Sequence, residues 1–122
     1  MALRRHANLP PKLAELSVLV TVHHFNCSYA SHTHSVSALA KGLPASLIDA
    51  IKSGKRADFS AVIEAAVYDF CIELHTTHRV SDRTYKLVCE GVGAEGAVEL
   101  TALIGYYSMV AMMLNAHDYP AL

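Results

Sequence analysis

Lys12-Leu-Ala-Glu15-Leu-Ser-Val18-Leu-Val20-Thr-Val22-His-His24-Phe25 is the stretch that decides the fold class of this 122-residue chain. Within it, Val18 to Val22 has the unbroken, β-branched apolar character of a buried strand. A lone strand has nothing to pair with, and no second run of this kind occurs in the sequence. Leu13, Leu16, Val20 and Phe25 fall near helical spacing, and Pro11 suits the opening position of a helix. The segment is therefore read as helix.

The segments that follow extend the same pattern. Asn26 is an N-cap candidate for a second helix from Cys27 to Lys41, which Gly42 stops. Leu43-Pro44 opens a short helix with Leu47, Ile48 and Ile51 on its apolar side, closed by Gly54. After the polar Lys55-Arg56-Ala57-Asp58 link, Val62, Ala66, Phe70 and Leu74 recur every fourth residue, predicting a long helix from Phe59 to His78 with Asp58 or Ser60 as cap. Ser81-Asp82 caps a fifth helix ending at Gly91 or Gly93, and Glu95 to His117 forms a sixth before Pro120. The expectation is an all-α chain: an arm over residues 1–9, then one domain over 10–122, a compact bundle of about six helices.

Composition narrows the partners. A hydrophobic share of 52% against 17% charged residues is rich for an isolated domain of this size, so part of the apolar surface is expected to be covered by other subunits. The net charge of −1 offers no basic footprint for phosphates, which argues against nucleic acid. The basic residues at Arg4 and Arg5 are not followed by an apolar run, so no secretory signal is read and a cytoplasmic location is expected. Leu100 to Ala116 carries no charge but is shorter than the ~20 residues of a span and is interrupted by Thr101, Ser108 and Asn115. It reads as a core or interface helix, not a membrane segment. Cysteines at 27, 71 and 89 are odd in number and scattered, which fits a reducing compartment better than a disulfide framework.

Three residues stand out chemically. Cys27 at a helix start meets unpaired amide N–H groups and the positive end of the helix dipole, the environment that makes a thiol reactive. His34 lies seven residues on, two turns along the same face, with small Ala30 between them. Glu15 sits in an otherwise apolar segment, where burial would shift it toward acid–base use. The plain readings are a solvated Glu15 and a core Cys27. Three histidine sets, His23 with His24, His32 with His34 and His75 with His78, lack the companion residues of a metal signature; neither metal nor cofactor is expected.

The run Glu15-x11-Cys27-x2-Ala30-x3-His34, followed by Ala38-Leu-Ala-Lys-Gly-Leu43, resembles the core motif of the AhpD-like superfamily, which includes the carboxymuconolactone decarboxylases. The segments from Leu74 to Asp82 and from Gly105 to Ala116 are similar to the same family, so the resemblance runs from about Leu9 to the C-terminus. It implies an AhpD-like fold, a proton relay of Glu15, Cys27 and His34 with Tyr29 and His32 beside it, a small-molecule substrate, and a homo-oligomer, trimer or hexamer, or a partner subunit. Two features depart from the pattern. Ala30 replaces the second cysteine of the peroxidase motif, so a dithiol would need Cys71 or Cys89. The chain also has only nine residues before Pro10, where relatives often have further helices. The first functional expectation is cofactor-free decarboxylation or isomerisation of a small carbonyl or lactone acid. The alternatives are a hydroperoxide reductase with a single reactive cysteine, or a non-catalytic oligomer subunit.

Overall fold

A computed structural model describes residues 9–118; the expected arm before Leu9 and the stop at Pro120 lie outside the described residues. Five helices follow one another: α1 (Pro11–His24), α2 (Ser28–Ala40), α3 (Ala45–Lys52), α4 (Val62–Thr77) and α5 (Asp82–Ala116). No strand occurs among the described residues. The segment that could pass for a strand is the centre of the bundle. α1 packs on α2, α4 and α5, with α3 against one flank, and every residue from Leu13 to Val22 is buried. A helix enclosed on all sides needs apolar residues all round, and so loses the one-faced periodicity of a surface helix.

The helix ends explain the order of the chain. Asn26 takes a left-handed conformation (φ 54°); its N–H reaches the His23 carbonyl at 2.9 Å and that of Cys27 reaches Val22 at 3.0 Å. This pair of bonds closes α1 in a Schellman arrangement and turns the chain back along it. Asn26 therefore ends α1, and the N-cap of α2 is Cys27, a shift of one residue from the sequence expectation. Gly42, at φ 97°, ends α2 in the same manner, with Leu43 N–H bonded to the Ala38 carbonyl at 3.0 Å.

The expected fifth and sixth helices are both present, joined without a loop across a kink at Gly93 (φ 78°, ψ 167°), and are labelled together as α5. That backbone conformation is open essentially to glycine alone. The start of α5 is tied to the end of α4. Ser81 Oγ accepts the Thr84 N–H at 3.3 Å, while Glu73 of α4 accepts the Ser81 N–H at 2.7 Å and the Thr84 hydroxyl at 2.6 Å. Partial burial works against the Glu73 carboxylate, but these hydrogen bonds outweigh it and hold its pKa below the ordinary value. α4 begins at Val62, later than expected, with Ala61 as its N-cap and neither Asp58 nor Ser60 capping it.

By length and composition α5 could cross a membrane. Leu100, Leu103, Ile104 and Ala111 pack into the core, while only 28% of its most apolar stretch is buried. Its other side presents Val98, Tyr106, Met109, Met112 and Met113 to the surface.

Candidate functional site

Glu15 sits in the second turn of α1, fully buried. A carboxylate there needs counter-charges or hydrogen bonds to offset lost hydration. Two come from α2, which runs back beside α1. His34 Nδ1 lies 3.3 Å from Glu15 Oε2, and Lys41 Nζ lies 3.4 Å from Oε1. The His34 side chain is 16% exposed and that of Lys41 34%, so this polar group begins in the core and reaches the surface along α2. The Tyr107 ring of α5 stands edge-on to the His34 imidazole at 5.1 Å between centroids, which limits how the imidazole can turn.

The structure brings Glu15 and His34 together and places Cys27 elsewhere. Seven residues of helix separate Cys27 from His34 by about 10 Å along the axis, and no hydrogen bond joins them among the described residues. Cys27 is 3% exposed and lines a cleft of about 320 Å³ together with His23, Ser28, Ser31, His32 and Lys52. No side chain caps the N-terminus of α2, and its first turn holds no acidic residue. The amide N–H groups of that turn are therefore left for solvent or a ligand. Of the two residues expected beside the relay, His32 lines this cleft. Tyr29 is partly buried one turn before Thr33, whose hydroxyl bonds its carbonyl at 3.0 Å.

The other cysteines are not disulfide-bonded. Cys71 is wholly buried, and burial pushes its thiol far above the ordinary range. Cys89 is half-buried on α5. Nor do His75 and His78 form a shared site. His78 ends α4 in a left-handed conformation. His75 turns inward, with Nε2 3.0 Å from the Thr21 hydroxyl and its ring stacked on His24 at 4.4 Å. Burial first, and the neighbouring His24 second, lower the His75 pKa to about 4. No three His, Cys, Asp or Glu side chains among the described residues converge as metal ligands.

No protein-family model matches the chain, and no curated protein matches it in sequence. A crystal structure does match. It is that of a protein of unknown function from Agrobacterium tumefaciens, proposed to be the antioxidant defence protein AhpD, with a TM-score of 0.79 over 90% of this chain and 77% of the other. The fold is AhpD-like. Sequence identity over the match is 13%, so the likeness is one of architecture.

Within this AhpD-like bundle, the residue that sequence reading missed at the carboxylate is Lys41. Its signal was present: Cys27, His34 and Lys41 are spaced by seven, which puts all three on one face of α2. Tyr107 of the last helix packs against the imidazole itself. Lys52 carried no signal, because only the placement of α3 brings it to Cys27.

Proposed function

We propose that the protein is an antioxidant enzyme that reduces hydroperoxides with one cysteine, Cys27. The observation that carries this reading is the position of that thiol: at the uncapped start of α2, bordering a polar cleft, and without a hydrogen bond to any described side chain. The AhpD-like architecture and the antioxidant role proposed for its Agrobacterium counterpart support it. In the reaction, the Cys27 thiolate attacks the outer oxygen of ROOH. An S–O bond forms as the O–O bond breaks, the sulfur is oxidised by two electrons to a sulfenic acid, and the alkoxide takes a proton from water to leave as ROH. Two equivalents of a low-molecular-weight thiol then return Cys27 to the thiol, releasing water and a disulfide. Ala30, at the position of the second cysteine in the resembled motif, makes such an external reductant necessary.

The test is hydroperoxide treatment followed by trapping and mass spectrometry. Sulfenic acid should appear at Cys27, and Cys27→Ser should abolish thiol-dependent turnover; retained turnover in that variant would sink the reading.

A second reading, acid–base catalysis of decarboxylation or isomerisation on a small carbonyl or lactone acid, is favoured by the Glu15–His34 pair. It predicts activity that His34→Gln abolishes and Cys27→Ser spares. In either case the enzyme is read as cytoplasmic and as a homo-oligomer. Val98, Thr101, Gly105, Met109 and Met112 recur at helical spacing on the exposed side of α5, and a face of that kind is proposed to be covered by further copies of the chain.

A further inference from the structure

The last turn of α1 is held against α4 through one half-buried imidazole. His75 of α4 lies with Nε2 3.0 Å from the Thr21 hydroxyl, and its ring stacks on that of His24, the last residue of α1, with 17° between the planes. Phe25 stands edge-on to both rings, 5.0 Å from His24 and 5.8 Å from His75 between centroids. Its carbonyl accepts the Asn115 side-chain amide of α5 at 2.6 Å. The reversal into α2 follows at once, with the Asn26 and Cys27 N–H groups bonded to the His23 and Val22 carbonyls. The turn that buries Cys27 is thus built on the turn that His75 clamps.

The surroundings of His75 do not accommodate a proton. No carboxylate pairs with it among the described residues. From α1 it meets the uncharged Thr21 hydroxyl and His24, whose charge would have the same sign. α5 offers the neutral amide of Asn115 one contact further out, and α3 sends only uncharged Ile51 and Gly54 to the small pocket beside His24. On α4 itself, Tyr68 in that pocket is a phenol that burial keeps protonated, the Cys71 thiol is wholly buried, and Glu73 is engaged by Ser81 and Thr84. His78, a further basic group, stands past the helix end. An imidazolium here is partly desolvated and 4.4 Å from a second imidazole, so it is stable only once the ring has turned out to water.

We infer that the stacked His24 and His75 form a pH-sensitive latch on the α1–α2 reversal, whose protonation unstacks the rings, frees the last turn of α1 from α4 and uncovers the Cys27 thiol. The opening is local, because Leu16 and Leu19 nearer the middle of α1 have no exposure and stay packed. Regulation of that thiol rests on the reading of Cys27 as the reacting group; the opening itself does not. Linkage sets its size. The closed ring, with a pKa of about 4, stays neutral where the released ring, returned to 6.5, takes up a proton, so opening is favoured as pH falls. Between pH 7.5 and pH 5.5 the opened fraction should rise about tenfold.

The experiment is amide hydrogen exchange on the full chain at the two pH values, each rate divided by the intrinsic rate for that pH. Opening at the Asn26 and Cys27 amides should rise about tenfold at the lower pH, while the Leu19 amide stays far better protected. His75→Gln, which keeps a polar group for Thr21 but does not titrate, and His75→Phe should both leave the opening unchanged with pH. A second readout is the rate at which dipyridyl disulfide modifies Cys27, followed by mass spectrometry. The rate in the parent divided by that in His75→Gln at the same pH cancels the titration of the thiol, and this ratio should climb by the same factor. An opening or a ratio that stays flat with pH overturns the latch. So does exchange of the Leu19 amide as fast as that of Cys27, because the chain then unfolds as a whole. The two proposals fail separately. Amides that open as pH falls, in a protein whose Cys27→Ser variant still consumes hydroperoxide, keep the latch and remove the peroxidase reading. Turnover that requires Cys27, with protection unchanged by pH, keeps the chemistry and removes the latch.

Discussion

Glu15 illustrates how one buried charge organises its neighbours. It has no exposure and lies between His34 and Lys41, both of which reach water and can recover hydration if the carboxylate is removed. Glu15→Gln keeps the shape and deletes the charge. It is expected to cost about 1–3 kcal/mol, below the loss for a fully buried pair because both partner side chains keep some contact with water. Urea unfolding should show a lower midpoint with an unchanged slope; an unchanged midpoint would mean that the pairing is energetically idle. The pairing was half legible in the sequence. The resemblance named Glu15 and His34, and the seven-residue spacing extends the same face to Lys41. Whether the carboxylate was solvated or enclosed was not legible, because that depends on α4 and α5 closing over α1.

At the scale of elements, the break in α5 is the clearest local device. Gly93 holds a conformation that other residues avoid, and a Cβ built there meets nothing within 4 Å. Gly93→Ala therefore tests backbone conformation without a steric clash. A loss of about 1–3 kcal/mol is expected, read as a lower melting temperature; a variant as stable as the parent would show that the helix runs on through residue 93 at no cost. The sequence signalled this position as the end of a helix, since glycines at 91 and 93 are ordinary stop signals. It signalled the resumption as well, since Glu95 opens the expected sixth helix, and the structure adds that no loop separates the two segments. Termination depends on where the next turn can pack, and Gly96, Ala97 and Leu100 are already buried. Cys27 and Asn26 differ from expectation for a related reason. Asparagine serves equally as an N-cap or as a left-handed helix end, and the short reversal between α1 and α2 selected the second.

Stability of the whole molecule should depend on pH through His75. Its folded pKa of about 4 lies below the ordinary 6.5, chiefly through burial. The unfolded chain therefore takes up a proton that the folded one refuses as pH falls from about 6.5 to about 4. The contribution of neutral His75 is fully present above that window and is lost across it, by roughly 1–2 kcal/mol once partial exposure of the ring is allowed for. Denaturation midpoints at pH 7 and pH 4.5 measure it, and His75→Phe should flatten the difference; an equally steep loss in that variant would assign it to other groups. Assembly is testable at the same scale. Met109→Glu with Met112→Glu places charges on the exposed face of α5 and should yield smaller species by light scattering, while an unchanged mass would show that this face is not a subunit contact.

Residue order by itself determined the all-helical class, the approximate helix boundaries and the shared face of Cys27, His34 and Lys41 on α2. Each follows from local rules: proline, asparagine and glycine at helix ends, and spacing along a single helix. Only the tertiary structure decided that α1 is enclosed on all sides, that Lys41 stands beside the carboxylate, and that Cys27 lines a separate basic cleft. The physical reason is that burial and charge partnership belong to neighbours distant in sequence. The thiol and the imidazole share one helix face, yet two turns of helix hold them apart, while Lys52, 25 positions from Cys27 in the chain, shares the same cleft because α3 folds back beside the start of α2.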